Sequence, residues 1–272
     1  MSRIEATFAR LRERGEKALI AYIMAGDPSL QETEALVLEL ERAGADLVEL
    51  GVPFSDPIAD GPVIQRAAER ALRSGTSLKK ILATVASLRT KTQIPLVLMT
   101  YYNPIYAMGE ESFCRQAAQA GVDGIIVPDM PPEEADALQG PADAAGLRII
   151  YLLAPTSTPS RRTVVARRSQ GFIYYVSLTG ITGAALTDRA DVQRNVKAIR
   201  RAASVPVAVG FGIATPDDAA RIGIMADGVI VGSAIVKQVA EYQHDPQLIE
   251  RVGTFVRSLK TAVTPGPVAA AV

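Results

Sequence analysis

Histidine occurs once in this 272-residue chain, as His244 in the polar segment YQHDPQ, and cysteine occurs once, as Cys114. A lone histidine among polar residues belongs in a surface loop. Histidine acid/base catalysis and multi-histidine metal sites are therefore set aside, and chemistry falls to carboxylates, tyrosines and backbone amides. Cys114 has no partner for an intramolecular disulfide and no metal-ligand spacing around it, so it is expected to be a buried, inert thiol, and nothing calls for an oxidising compartment. Charge of one sign is also missing. Lys plus Arg and Asp plus Glu both number 29, so no whole-chain field draws nucleic acid or anionic lipid, although local anion sites stay open. No run approaches the roughly 20 apolar residues of a membrane span. The opening segment MSRIEATFARLRERGEKA lacks the continuous apolar stretch of a secretion signal. The expected setting is cytoplasmic, with no membrane and no nucleic acid as partner.

Apolar residues make up 48% of the chain, ample for one large core. After an amphipathic opening helix, short apolar runs fall at 18–24, 47–51, 95–100, 124–127, 147–153, 172–177, 206–210 and 228–231. Helical patterns lie between them at 29–43, 62–73, 77–90, 110–120, 133–145, 160–168, 191–203 and 216–222, and 234–262 closes the series. Eight buried strands alternating with helices indicate βα units and a parallel sheet. A weak internal echo supports the same reading: GADLVELG (44–51), GVDGIIVPD (121–129) and MADGVIVGS (225–233) each join a helix end, a turn aspartate and a strand. The spacing of the echo is uneven, which disfavours a solenoid. The expected fold is an α/β class (β/α)8 TIM barrel with an extra N-terminal helix and additional helices, and a doubly wound open sheet is the second choice. Residues 1–262 are expected to form this single domain and 263–272 a disordered tail.

In such a barrel the active site lies where the strands end at their carboxyl side. The segment 47–62, LVELGVPFSDPIADGP, stands out there because Glu49 sits inside an apolar strand and Asp60 follows it at the end of a Gly- and Pro-rich loop. A carboxylate in an apolar strand is costly unless it is paired or used. Glu49 is thus either a structural ion-pair member or a general acid/base whose pKa is raised by apolar neighbours such as Leu47, Leu50 and Leu98. Asp60 is either a helix cap before Pro62 or a functional acid. Tyr101, Tyr102 and Asp129 follow strands on the same rim. Tyr22 and Tyr174 are strand residues for which core packing is the default, and Arg161, Arg162, Arg167 and Arg168 read as solvated helix faces. Glycine turns at 180–183, 210–212 and 232–233 are either ordinary turns or, together, a phosphate cup, because glycine lets backbone amides approach an anion and GSA opens a helix.

The segment LVELGVPFSDPIADGPVIQRA closely resembles the signature of the tryptophan synthase α subunit family. The similarity continues in order through AYIMAGDP, LMTYYNPI, GVDGIIVPDMP, YYVSLTGITG, VGFGI and VGSAIV, nearly the whole chain. The resemblance implies retro-aldol cleavage of indole-3-glycerol phosphate to indole and glyceraldehyde 3-phosphate. It implies that Glu49 protonates indole C3 and takes the glycerol hydroxyl proton, and that an ionised Asp60 accepts the indole N–H. It further implies phosphate binding by amides of Gly183, Gly212, Gly232 and Ser233, and an indole pocket including Tyr22, Met99, Phe211 and Ile230. Tyr174 resembles a residue near the substrate and Thr182 one that closes over Asp60, with the loops 53–60 and 178–187 acting as lids. The family needs no metal and no cofactor on this chain. Its partner is a β subunit carrying PLP, in an α2β2 heterotetramer, and Asp56, Pro57, Asp129 and Pro131 are expected to face it. Other expectations to be weighed are a sugar-phosphate isomerase or epimerase, a noncatalytic regulatory subunit, and a stand-alone indole producer.

Overall fold

The computed structural model describes residues 1–177, 189–210 and 212–264. Among the described residues nine strand segments form one sheet: β1 (Ala18–Met24), β2 (Leu47–Gly51), β3 (Leu96–Met99), β4 (Gly124–Ile126), β5 (Arg148–Ile149), β6 (Leu152–Leu153), β7 (Ile173–Val176), β8 (Val207–Gly210) and β9 (Gly228–Val231). Every pairing is parallel, and the order β5-β4-β3-β2-β1-β9-β8-β7-β6 follows the chain round without a reversal. A doubly wound sheet needs a reversal of strand order, so that alternative is excluded. The expected fifth strand is divided: β5 pairs with β4 and β6 pairs with β7. Between the two segments, Ile150 N–H donates to the Ile125 carbonyl at 3.0 Å, while the Tyr151 carbonyl accepts from Tyr174 N–H at 3.1 Å. One short stretch thus serves both ends of the sheet, which curls until they meet.

The helices are α1 (Arg3–Glu13), α2 (Leu30–Arg42), α3 (Pro62–Arg73), α4 (Leu78–Leu88), α5 (Tyr102–Met108), α6 (Glu110–Ala120), α7 (Asp136–Ala145), α8 (Pro159–Arg168), α9 (Arg189–Ala202), α10 (Pro216–Gly223), α11 (Ser233–Tyr242) and α12 (Leu248–Val263). Three departures from the expected pattern have local causes. Helix α5 was hidden by its Asn-Pro sequence: Pro104 is tolerated in a first turn, and the cap is Asp129, 27 residues away, whose carboxylate accepts from Tyr102 N–H at 3.0 Å. The expected helix 133–145 opens with a separate 3-10 turn (Pro132–Glu134). The closing helix breaks in two at Asp245-Pro246, where the Asp245 side chain accepts from Gln247 N–H at 2.8 Å, and exposed His244 lies in that break. Helix α12 runs one residue past the expected domain end, and Val263 is buried; residues 265–272 of the expected tail lie outside the described residues.

Alternation along the strands divides the core. Leu19, Ala21, Ile23, Val48, Leu50, Leu96 and Leu98 point outward into the layer between sheet and helices. Ala18, Ile20, Leu47, Val97, Ile126, Tyr174, Ala208 and Ile230 point inward, and α1 plugs that interior with Ile4, Phe8 and Leu11. At about 25 cal/mol per Å², burial of these side chains dominates folding. The plug fills the end where the strands begin. At the other end the inward Met99, Leu152 and Val176 are only half-buried, so the interior opens there.

The sequence echo has a physical basis. Its aspartates, Asp46, Asp123 and Asp227, precede β2, β4 and β9, and each accepts the first free amide of the preceding strand: Leu19 N–H at 2.8 Å, Leu96 at 2.9 Å and Val207 at 2.9 Å. Each is also paired with a cation, Lys260, Arg89 and Arg200 respectively. The repeat is a stitch at the plugged end and carries no chemistry. Cys114 is buried and its thiol is pushed up to about 11 by burial, as an inert thiol should be.

Candidate active site

Glu49 is the third residue of β2, and pleating turns its side chain inward with Leu47. The expected contacts with Leu50 and Leu98 are corrected: both face the outer layer, because they are out of phase with Glu49 on the pleat. The carboxyl group is wholly buried, and neither oxygen has a hydrogen-bond partner among the described residues. The ion-pair alternative finds no cation for it among the described residues. Burial alone pushes Glu49 up to about 8, so at neutral pH it holds a proton.

Two tyrosines flank it. Tyr22 is the register partner of Glu49 on β1, and Tyr174 stands on β7. Their rings lie over glycines: a Cβ added to Gly51 would come within 2.1 Å of the Tyr22 hydroxyl oxygen, and one added to Gly210 within 2.4 Å of the Tyr174 oxygen. Burial first, and then the charge of Asp60 and Glu49, raises the Tyr22 hydroxyl well above its ordinary value. Burial and the charge of Glu49 do the same to Tyr174. Both phenols are hydrogen-bond donors at any working pH.

Asp60 is the next-to-last residue of the loop 52–61. It does not cap α3, whose N-cap is Gly61 without a side-chain bond. The loop is held from below. Ala59 N–H donates to the Tyr101 hydroxyl at 2.9 Å, Phe54 packs on the Tyr101 ring at 5.3 Å, and Gln65 donates to the Asp60 carbonyl at 2.8 Å. Burial pushes Asp60 up to about 6, with the Tyr101 hydroxyl pulling the other way. Asp60 therefore titrates just below neutral pH.

On the far side of Tyr22 lies the start of α11. Gly232 is its N-cap with no side-chain bond, so first-turn amides beginning at Ser233 are open, and a Cβ on Gly232 would sit 3.6 Å from Tyr22. Such an end attracts an anion through free N–H groups and the helix dipole. Gly212 has φ +74°, the left-handed region that glycine enters without strain. Ile230 and Met99 point inward on β9 and β3. Thr182, Gly183 and Phe211, with the loop 178–187, lie outside the described residues.

The residues expected at a partner interface share this rim. Asp56 is exposed and Pro57 half-buried in the Asp60 loop; Asp129 is exposed and capping α5, and Pro131 is half-buried before the 3-10 turn. The arginines of α8 are not simply solvated: Arg161 pairs with Glu133, Arg162 donates to Asn195 at 2.8 Å and Arg168 pairs with Asp136, leaving Arg167 as the exposed one. Two lining residues escaped the sequence reading, whereas Tyr101 was placed on this rim. Leu152 and Val176 follow from the inward parity of their strands. Among the described residues no cluster of three metal-ligating side chains exists, and no helix is long and apolar enough to cross a membrane.

Comparison with known proteins places the chain by sequence and by fold. The family described as "Tryptophan synthase alpha chain" matches residues 8–264. The tryptophan synthase alpha chain of Geobacter sp. strain M21 is 57% identical, covering 98% of this chain and 99% of its own. That of Nitrosococcus oceani is 51% identical, with 97% and 98% covered. The crystal structure of the Legionella pneumophila str. Paris α subunit superposes with a TM-score of 0.91 at 38% identity, covering 97% of this chain and 98% of that one. Mycobacterium tuberculosis tryptophan synthase gives 0.89 at 36%, with 97% and 99% covered. On sequence and fold, the chain belongs to the tryptophan synthase α chain family.

Proposed function

We propose that Glu49 and Asp60 are the acids with which this chain performs its family's reaction, the cleavage of indole-3-glycerol phosphate in tryptophan biosynthesis. The chain is a carbon-carbon lyase. One observation carries the assignment of roles: Glu49 is wholly buried with neither carboxyl oxygen partnered among the described residues, and that burial pushes its pKa up to about 8. It therefore begins the cycle as an acid. Its proton goes to indole C3, the ring becomes cationic, and the Asp60 carboxylate accepts the ring N–H and stabilises that charge. The Glu49 carboxylate then takes the glycerol hydroxyl proton. The O–H electron pair forms the aldehyde C=O, the C–C bond breaks, and its electrons restore the aromatic indole. Glu49 ends protonated, ready for the next turnover.

In this reading Gly183, Gly212, Gly232 and Ser233 hold the phosphate, while Tyr22, Met99, Tyr174, Phe211 and Ile230 enclose the indole. Thr182 closes over Asp60. Residues 1–262 act as one catalytic domain, a closed (β/α)8 barrel whose added N-terminal helix plugs its lower end. The chain needs no cofactor of its own and works in the cytoplasm. Its partner is a PLP-bearing β subunit in an α2β2 assembly, facing Asp56, Pro57, Asp129 and Pro131. Exposed Ile58, in the same loop, suits a surface that becomes covered. A sugar-phosphate isomerase or epimerase is set aside by the family.

The test is indole release from indole-3-glycerol phosphate, with and without β subunit. Glu49→Gln should cut turnover by about 10²- to 10⁴-fold and leave phosphate binding intact. Turnover at the wild-type rate in that variant would sink the role given to Glu49.

A further inference from the structure

The Glu49 shuttle has an unmet requirement. For part of each cycle its carboxylate is ionised in a site where neither oxygen has a partner among the described residues. A buried anion without a donor is strongly disfavoured. Its register partner across the sheet is Tyr22, and paired residues of parallel strands share a face. The phenol reaches one pleat further toward the open end, where its oxygen occupies the space a Gly51 side chain would take, 2.1 Å from the added Cβ. That puts it on the open-end side of Glu49, on the same face of the sheet. The groups acting on it are Asp60, Glu49, Tyr101 and Tyr174, two acids and two further phenols. Tyr174 also feels Glu49, but its hydroxyl is held over Gly210 on β8.

Resting on the reading of Glu49 above, we propose that Tyr22 is a positioning residue for the proton shuttle, its hydroxyl donating to the Glu49 carboxylate in the interval when that group is ionised. No covalent step is added, and the proton given to C3 still comes from Glu49. Gly51 is part of the device, because any side chain there would displace the hydroxyl.

Tyr22→Phe keeps the ring and removes the donor. Losing a charge-assisted hydrogen bond should lower kcat about 10- to 100-fold, with KM changed less than about threefold. It should also move the basic limb of the kcat profile up by about one pH unit, because the ionised form of Glu49 loses support. Isotope-edited infrared titration of the Glu49 carboxyl band, assigned by its loss in Glu49→Gln, should show the same upward move. Gly51→Ala, which retains the phenol but pushes it aside, should reproduce both effects. Urea midpoints of each variant report whether the fold is kept. A Tyr22→Phe enzyme with altered KM but an unmoved limb and band would make Tyr22 an indole contact only and overturn the proposal. A move seen in Tyr174→Phe and absent in Tyr22→Phe would overturn it in favour of Tyr174. Wild-type turnover in Glu49→Gln would instead remove the shuttle itself, which separates the two failures.

Discussion

Replacing Glu49 by glutamine should stabilise the protein increasingly as pH rises, because the variant loses a titration that works against folding. In the folded chain the carboxyl is pushed up to about 8, from an ordinary 4.5. The proton is therefore bound more tightly in the folded than in the unfolded state. The stabilisation this provides is complete below pH 4.5 and is lost steadily as pH rises to about 8, at about 1.4 kcal/mol per pH unit. Between pH 5.5 and 7.5 the wild type should lose roughly 2–3 kcal/mol on this account. Glutamine has nearly the same shape and cannot ionise. Asp60 and every other titrating group are common to both chains and cancel in the difference. The measurement is urea unfolding of both chains at pH 5.5, 6.5 and 7.5 by circular dichroism, with a second probe to test for a single transition. The difference in unfolding free energy, variant minus wild type, should grow by that amount across the range. A difference that stays constant would mean Glu49 ionises normally when folded. It could not then hold a proton for indole C3, and the reasoning from burial to mechanism would be wrong.

Further outcomes follow from the same geometry. Asp60 is pushed up to about 6 and must be ionised to stabilise a cationic ring, so kcat/KM should fall on the acid side near pH 6. Asp60→Asn should abolish that limb and lower kcat/KM by about 10²-fold or more, and an unchanged profile would show the acid to be a bystander. Tyr101→Phe removes the acceptor of the Ala59 amide and a contact of Asp60, and should cost about tenfold in kcat/KM, with little effect on the urea midpoint. Asp123, buried between Arg89 at 2.6 Å and Arg3 at 3.0 Å, is a structural control far from the open rim. Asp123→Ala should destabilise by about 3–5 kcal/mol while the activity of the remaining folded enzyme stays near wild type.

The sequence by itself determined the series of buried strands and helices, since short continuous apolar runs and period-3.6 apolar patterns are local signals that burial enforces. It also exposed Glu49, because an acid in an apolar strand is anomalous without any structure, and the lack of histidine left carboxylates to do the acid/base work. The echo of Asp46, Asp123 and Asp227 was visible too, but its meaning was not: each carboxylate serves an amide on another strand. Helix α5 was missed for the same reason, its cap being Asp129 from across a loop. Only the tertiary structure decided that the fifth strand divides to serve both ends of the sheet, that Leu50 and Leu98 face away from Glu49, and that α1 plugs one end while the other stays open. It alone set the two acids apart in burial, placing Glu49 near 8 and Asp60 near 6. A pKa follows from how much water and which charges surround a group, and those are fixed only when distant segments pack together.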